Sequence, residues 1–176
     1  TGAHRFWMLL PALLIFVATS VPFKPAFALP PTPNMGYYNV AGIENNAGDY
    51  TNSATGQIDV NGRLFNNGTF TNNGGYTNNG ITRNTPTGTF INSGTLDNQI
   101  NADFSNNFTL NNKGTFTNNG VYTNTGYTGN KSTGTFNNNG TLNNPTGDYF
   151  NYGTLNKNGT FINNGNFANL GTLKGT

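Results

Sequence analysis

From Gly36 to the C-terminus the sequence repeats every six residues, and this period constrains the fold more than any other feature. Taking glycine as position one, 22 units follow one another, and 20 of them start with Gly; the other two start at Ala102 and Phe108. The third position is Phe, Tyr, Leu or Ile in 19 units, the exceptions being Glu44, Thr82 and Thr128. Of the 21 steps between units, 16 are six residues long, four are eight and one is seven. The unit reads G-T-F-T-N-N, as in Gly68-Thr69-Phe70-Thr71-Asn72-Asn73.

Thr-Phe-Thr is a short strand: β-branched and aromatic residues, with the large apolar side chain sent to one face and its polar neighbours to the other. Asn-Asn-Gly is turn chemistry, because Asn tolerates the left-handed region and Gly enters positive φ without steric cost. Three-residue strands alternating with three-residue corners are too short for useful hairpins. They suit a coil in which each strand pairs in parallel with the strand one turn later, a single-stranded parallel β-helix or β-solenoid. Three units per turn put turn starts at Gly48, Gly68, Gly88, Phe108, Gly126, Gly147 and Gly165, with steps of 20, 20, 20, 18, 21 and 18 residues. Two units per turn give steps of 12 to 14. Three is preferred, because the first three steps are equal although the extra residues fall at different corners.

This register predicts three inward columns. Tyr50, Phe70, Phe90 and Leu110 form one; Ile58, Tyr76, Leu96, Phe116, Phe136 and Leu155 form another; Leu64, Phe104, Tyr122, Leu142 and Phe161 form the third. Tyr149, Phe167 and Leu173 complete the expected core ladder. The repeat domain is placed at 48–176, with 29–47 expected as an irregular first turn or cap. Asn corners are expected to add amide ladders of the kind found in stacked strands.

Residues 1–28 differ in kind. A short start with His4 and Arg5 precedes an apolar run from Phe6 to Val17, then a polar break at Thr19 and Ser20, then Ala26-Phe27-Ala28. That order predicts a secretory signal helix cleaved after Ala28; the run is short for a membrane span of about 20 residues. Contact with a membrane is expected only through this segment, if it is retained.

Cleavage there takes away the single His and the single Trp, together with Arg5 and Lys24, so the +2 formal charge belongs to the leader. Six basic and six acidic side chains follow it. A neutral repeat with no basic cluster has no electrostatic footprint for nucleic acid. Asn (36), Thr (27) and Gly (24) make up half of the 176 residues, which excludes a helical bundle. Without Cys, a disulfide scaffold is excluded too. The 14 Phe and 8 Tyr argue against disorder.

Runs such as Asn66-Asn67-Gly68-Thr69-Phe70-Thr71-Asn72-Asn73-Gly74 and Phe136-Asn137-Asn138-Asn139-Gly140-Thr141-Leu142-Asn143-Asn144 resemble the N-N-G-T-[FL] repeats of bacterial surface β-solenoids. Autotransporter passengers and filamentous-haemagglutinin-like adhesins are the nearest types. The resemblance spans about 140 residues. It implies an exported, right-handed parallel β-helix that serves adhesion or surface structure.

Little catalytic chemistry is on offer. After the leader there is no His or Cys for a nucleophilic or thiolate-metal site, so no catalytic residue, cofactor or metal ligand is assigned. The acidic residues are Glu44, Asp49, Asp59, Asp97, Asp103 and Asp148. Asp97 and Asp103, flanking the insertion Asn98-Gln99-Ile100-Asn101, are the best candidates for a paired-carboxylate site acting on polysaccharide. The outward pairs Thr69/Thr71 and Thr115/Thr117 raise an ice-binding face as a further alternative. The preferred expectation is a secreted or cell-surface structural or adhesive protein that is not an enzyme. It would stack end to end into a fibre, or form part of a longer adhesin, with a host or matrix glycan or a surface receptor as partner.

Overall fold

The computed structural model describes residues 27–29 and 32–175. The expected signal helix therefore lies outside the described residues, apart from Phe27–Ala28, a short strand paired in parallel with Glu44 and Asn45. No helix among the described residues is long and apolar enough to cross a membrane.

The chain winds as a parallel β-solenoid of about seven turns, and its strands stack into three sheets of eight, seven and eight strands. Face one runs from Phe27–Ala28 and Ile43–Asn46 up to Thr160–Asn163. Face two runs from Asp49–Asn52 to Asn166–Asn169, and face three from Tyr37–Val40 to Thr172–Lys174. The chain visits faces three, one and two in turn, so one coil holds three units. The inward columns follow: Tyr50, Phe70, Phe90 and Leu110 are successive partners on face two. The stretch 29–47, expected to be irregular, already holds Tyr37–Val40 and Ile43–Asn46, in register with Gln57–Val60 and Arg63–Asn66. Its units at Gly36 and Gly42 obey the repeat, and the coil obeys it with them.

Two local expectations are corrected. Strands are four residues long, positions two to five, and the alternation of faces continues to the end, so the fifth-position Asn points inward. The corner is then only positions six and one. The corner glycines are also not there for positive φ: among the described residues only Gly175, at 95°, and Asn101, at 68°, have it. Their reason is close approach. A Cβ on Gly94, Gly114 or Gly140 would overlap the carbonyl oxygen of the glycine one coil earlier, Gly74, Gly94 or Gly120. Coils about 4.8 Å apart leave no room for a side chain pointing along the axis.

The three inward columns of third-position residues meet in one core. Phe70 and Phe90 stack at 4.8 Å and 10°, with Tyr76 edge-on to both at 5.5 and 5.4 Å. Burying each such ring or Leu contributes roughly 1.5–3 kcal/mol.

Candidate functional site

The residues of the expected ladder line one interior. Tyr50, Ile58, Leu64, Phe70, Tyr76, Phe90, Leu96, Phe104, Leu110, Phe116, Tyr122, Phe136, Leu142, Tyr149 and Leu155 are buried. Phe161 and Phe167 are partly buried and packed against them, while Leu173 is 42% exposed on the last strand. Val40 and Val60 join the core from position five.

Beside the apolar column run three amide ladders. On face one, Asn46, Asn66, Asn84, Asn106, Asn124, Asn144 and Asn163 are linked by hydrogen bonds of 2.7–2.9 Å. Face two carries the chain from Asn34 to Asn169 at 2.6–2.8 Å. Face three has the shortest, Asn78, Asn98, Asn118 and Asn138. In every rung the Nδ2 of the earlier coil donates to the Oδ1 of the next. The second amide hydrogen reaches a backbone carbonyl, as from Asn72 to Thr95 at 2.9 Å. An amide so buried would cost about 1–3 kcal/mol per unpaired group, and here the stacking satisfies it.

The three exceptions at position three answer a second demand of the interior. Each stands six residues after a core tyrosine and takes its hydroxyl. Tyr38 donates to Glu44 at 2.7 Å, Tyr76 to Thr82 at 2.6 Å, and Tyr122 to Thr128 at 2.5 Å. Thr82 passes its own proton to Asn78 Oδ1 at 3.1 Å, the ladder oxygen on face three that has Val60 rather than Asn beneath it. Among the described residues Tyr50 and Tyr149 have no such partner, and their buried hydroxyls make no hydrogen bond there. Burial and the nearby Glu44 carboxylate push the Tyr50 hydroxyl up to about 12. The second oxygen of Glu44 also has no partner among the described residues, and burial raises its carboxyl above the ordinary range against the opposing pull of Tyr38.

Outside, the candidate catalytic pair comes apart. Asp97 faces outward on face three and Asp103 on face one, on opposite sides of the corner 99–102. Burial raises the Asp97 carboxyl while the Thr117 hydroxyl acts the other way. Asp49, Asp59 and Asp148 are also on strand outer positions. No group of three His, Cys, Asp or Glu is placed to hold a metal among the described residues. The two Thr pairs fall on different faces, Thr69/Thr71 on face two and Thr115/Thr117 on face three. On face three Thr95, Thr115, Thr135, Thr154 and Thr172 instead form a single file.

One outer patch departs from the Thr and Asn surface, and the sequence reading did not single it out. On face two Tyr127 and Phe150 lie with ring centroids 5.7 Å apart and planes at 30°; Tyr152, at the following corner, continues the run at 6.3 Å and 15°. Lys131 Nζ sits 5.2 Å from the Tyr127 ring centre and donates to its hydroxyl at 3.1 Å. Both side chains fold over Gly129, which stands opposite Phe150 in the ladder. A second aromatic–cation contact, Arg83 over Phe65 at 5.8 Å, lies on face one.

Comparison with known proteins found no matching family model, no matching curated protein and no matching solved structure.

Proposed function

We propose that the chain is an exported structural or adhesive solenoid of the bacterial surface type, extended by coil-on-coil stacking. The observation that carries this reading is the in-register stacking of about seven coils on three parallel sheets, in which each coil is completed by its neighbour. Such sheets are extended by another coil of the same kind. That coil comes from further repeats of the same chain or from a second molecule. The neutral Thr and Asn surface supports the same reading, since a rod without strong charge suits repeated weak contacts better than one steered ligand. The apolar run before Ala26-Phe27-Ala28 supports export.

Sedimentation and negative-stain microscopy across a concentration series test the stacking. The expected result is rods that lengthen in steps of one molecule, or a fixed rod whose length grows with added repeats. Short monodisperse rods under both conditions overturn it. Export is tested by N-terminal sequencing of the protein recovered from the cell exterior, with Leu29 expected as the first residue; retention in the cytoplasm overturns it.

A further inference from the structure

The coil does not need the rings on the outside of face two. The column that holds Tyr127 is Thr69, Thr89 and Thr109 in the earlier coils, in unbroken register. The corner that holds Tyr152 is Ser53, Asn73 and Ser93 earlier in the chain. Polar residues build the same strands and the same corner, so a run of three rings on the outer surface, two half-buried and Tyr152 exposed, has another use.

We propose that Tyr127, Phe150 and Tyr152, flanked by Lys113 and Lys131, form a binding strip for a carboxylate-bearing polysaccharide. The inference deepens the adhesive part of the function proposed above and rests on it, but not on coil stacking. A pyranose ring has a flat face of C–H groups that packs on an aromatic ring and buries apolar area there. The rings stack on one another across two coils, so Tyr152, the exposed end of the run, is the ring on which a sugar packs, with Phe150 and Tyr127 supporting it. The lysines select for charge. They follow Asn112 and Asn130, which are ladder partners, so they occupy the same corner on adjacent coils. A carboxylate at that corner meets two cationic side chains and takes charge-assisted hydrogen bonds from them. Asp148 lies beside Tyr127 in the ladder and its Oδ1 accepts from Asn166 Nδ2 at 2.7 Å. It offers an acceptor to sugar hydroxyls.

The test uses the full chain, titrated against polygalacturonate, with dextran and a single-stranded oligonucleotide as comparisons. Two double variants are made from residue types found in these columns or isosteric to them: Phe150→Thr with Tyr152→Asn, and Lys113→Gln with Lys131→Gln. Thermal melting checks that each is folded. The expected result is binding to polygalacturonate but not dextran, weakened at least tenfold by the first variant. The lysine variant is expected to weaken it and flatten its salt dependence. No binding by the folded chain, equal binding to dextran, preference for the oligonucleotide, or an unaffected ring variant overturns the strip. So does a concentration-dependent dimer abolished by the ring variant, which makes the patch an interface between copies. Cell or matrix binding that persists in the ring variant overturns the strip alone and leaves the adhesive reading in place; absence of such binding in the parent chain removes both.

Discussion

The first coil and the coils in the middle of the rod have nearly the same sequence pattern and quite different internal demands. In a middle coil such as that from Gly114 to Asn130, corner glycines press against the backbone beneath, ladder amides are bonded on both sides, and Tyr122 hands its proton to Thr128. In the first coil Gly36, Gly42 and Gly48 have no heavy atom of the described residues within 4 Å of where a Cβ would stand. Its face-three ladder position is Val40, and its core layer is Tyr38, Glu44 and Tyr50, with the second oxygen of Glu44 and the Tyr50 hydroxyl unpaired among the described residues. The difference teaches that the repeat is a set of requirements imposed by a neighbouring coil. Where the described residues supply no full coil beneath, the same letters are under different pressure.

The sharpest way to break this comparison is at the glycines. Gly114→Ala pushes a methyl group into the backbone of Ser93 and Gly94 and is expected to cost on the order of 3 kcal/mol in chemical denaturation. Gly42→Ala meets no atom of the described residues and is expected to be neutral, or stabilising by up to about 1 kcal/mol through the unfolded chain. Equal losses at the two sites would mean that the glycines serve backbone conformation after all.

The ladders come next. Asn92→Ala strands the Asn72 donor and the Asn112 acceptor, and is expected to cost about 2–3 kcal/mol by the same measurement. A loss below about 0.5 kcal/mol would mean the amides are not load-sharing partners.

Tyrosine pairs give a smaller effect with opposite signs. Thr82→Val leaves the Tyr76 hydroxyl and the Asn78 oxygen unpaired and is expected to cost about 1–3 kcal/mol, much of it recovered when Tyr76→Phe is added. Tyr149→Phe removes a hydroxyl that has no partner among the described residues and is expected to be neutral or stabilising. A cost at Tyr149 equal to that at Thr82 would refute the pairing argument.

The smallest effect is electrostatic. The folded-state affinity of Glu44 for its proton is raised by burial, so the stability it contributes is complete below the ordinary carboxylate range. That stability is lost as the pH rises through the raised folded value. Glu44→Gln is therefore expected to melt higher than the parent at neutral pH, with the gap closing on acidification. A gap that does not change with pH would exclude the carboxyl as its source.

Most of the fold was legible because strand alternation and turn chemistry share one period. Position three announced the core column, and the spacing of the extra residues announced three units per turn. The reading stopped one residue short at position five. Asn72, Asn92 and Asn112 were taken for corner residues on propensity, although the alternation that sends Phe70 inward sends them inward too. A further signal was present. Position five is Asn in 18 of the 22 units, whereas position six ranges over Ala, Ser, Asn, Thr, Gln, Lys, Pro, Tyr and Leu. A surface corner tolerates that variety, and a buried amide with two neighbours to satisfy does not. The polar exceptions Glu44, Thr82 and Thr128 were visible as exceptions, but their tyrosine partners are set by the width of the coil. The pair Asp97 and Asp103 looked close along the chain and ends on two faces, because a corner intervenes. The Tyr127–Phe150–Tyr152 run is invisible to local reading, since its members come from different coils.

The uniform direction of the ladder amides gives the rod a sense of travel. Every inner rung points its N–H the same way on all three faces, whereas the outer amides of Asn61, Asn79, Asn139 and Asn158 donate back toward the earlier coil, so the buried ladders carry the axial sense. Among the described residues each face-one and face-two ladder thus begins on an amide oxygen and closes on amide hydrogens, those of Asn163 and Asn169 turning to the carbonyls of Gly165 and Gly171. A body that settles on the rod end-on must match that orientation, and any filament made of such rods is vectorial, with two ends that grow at unequal rates.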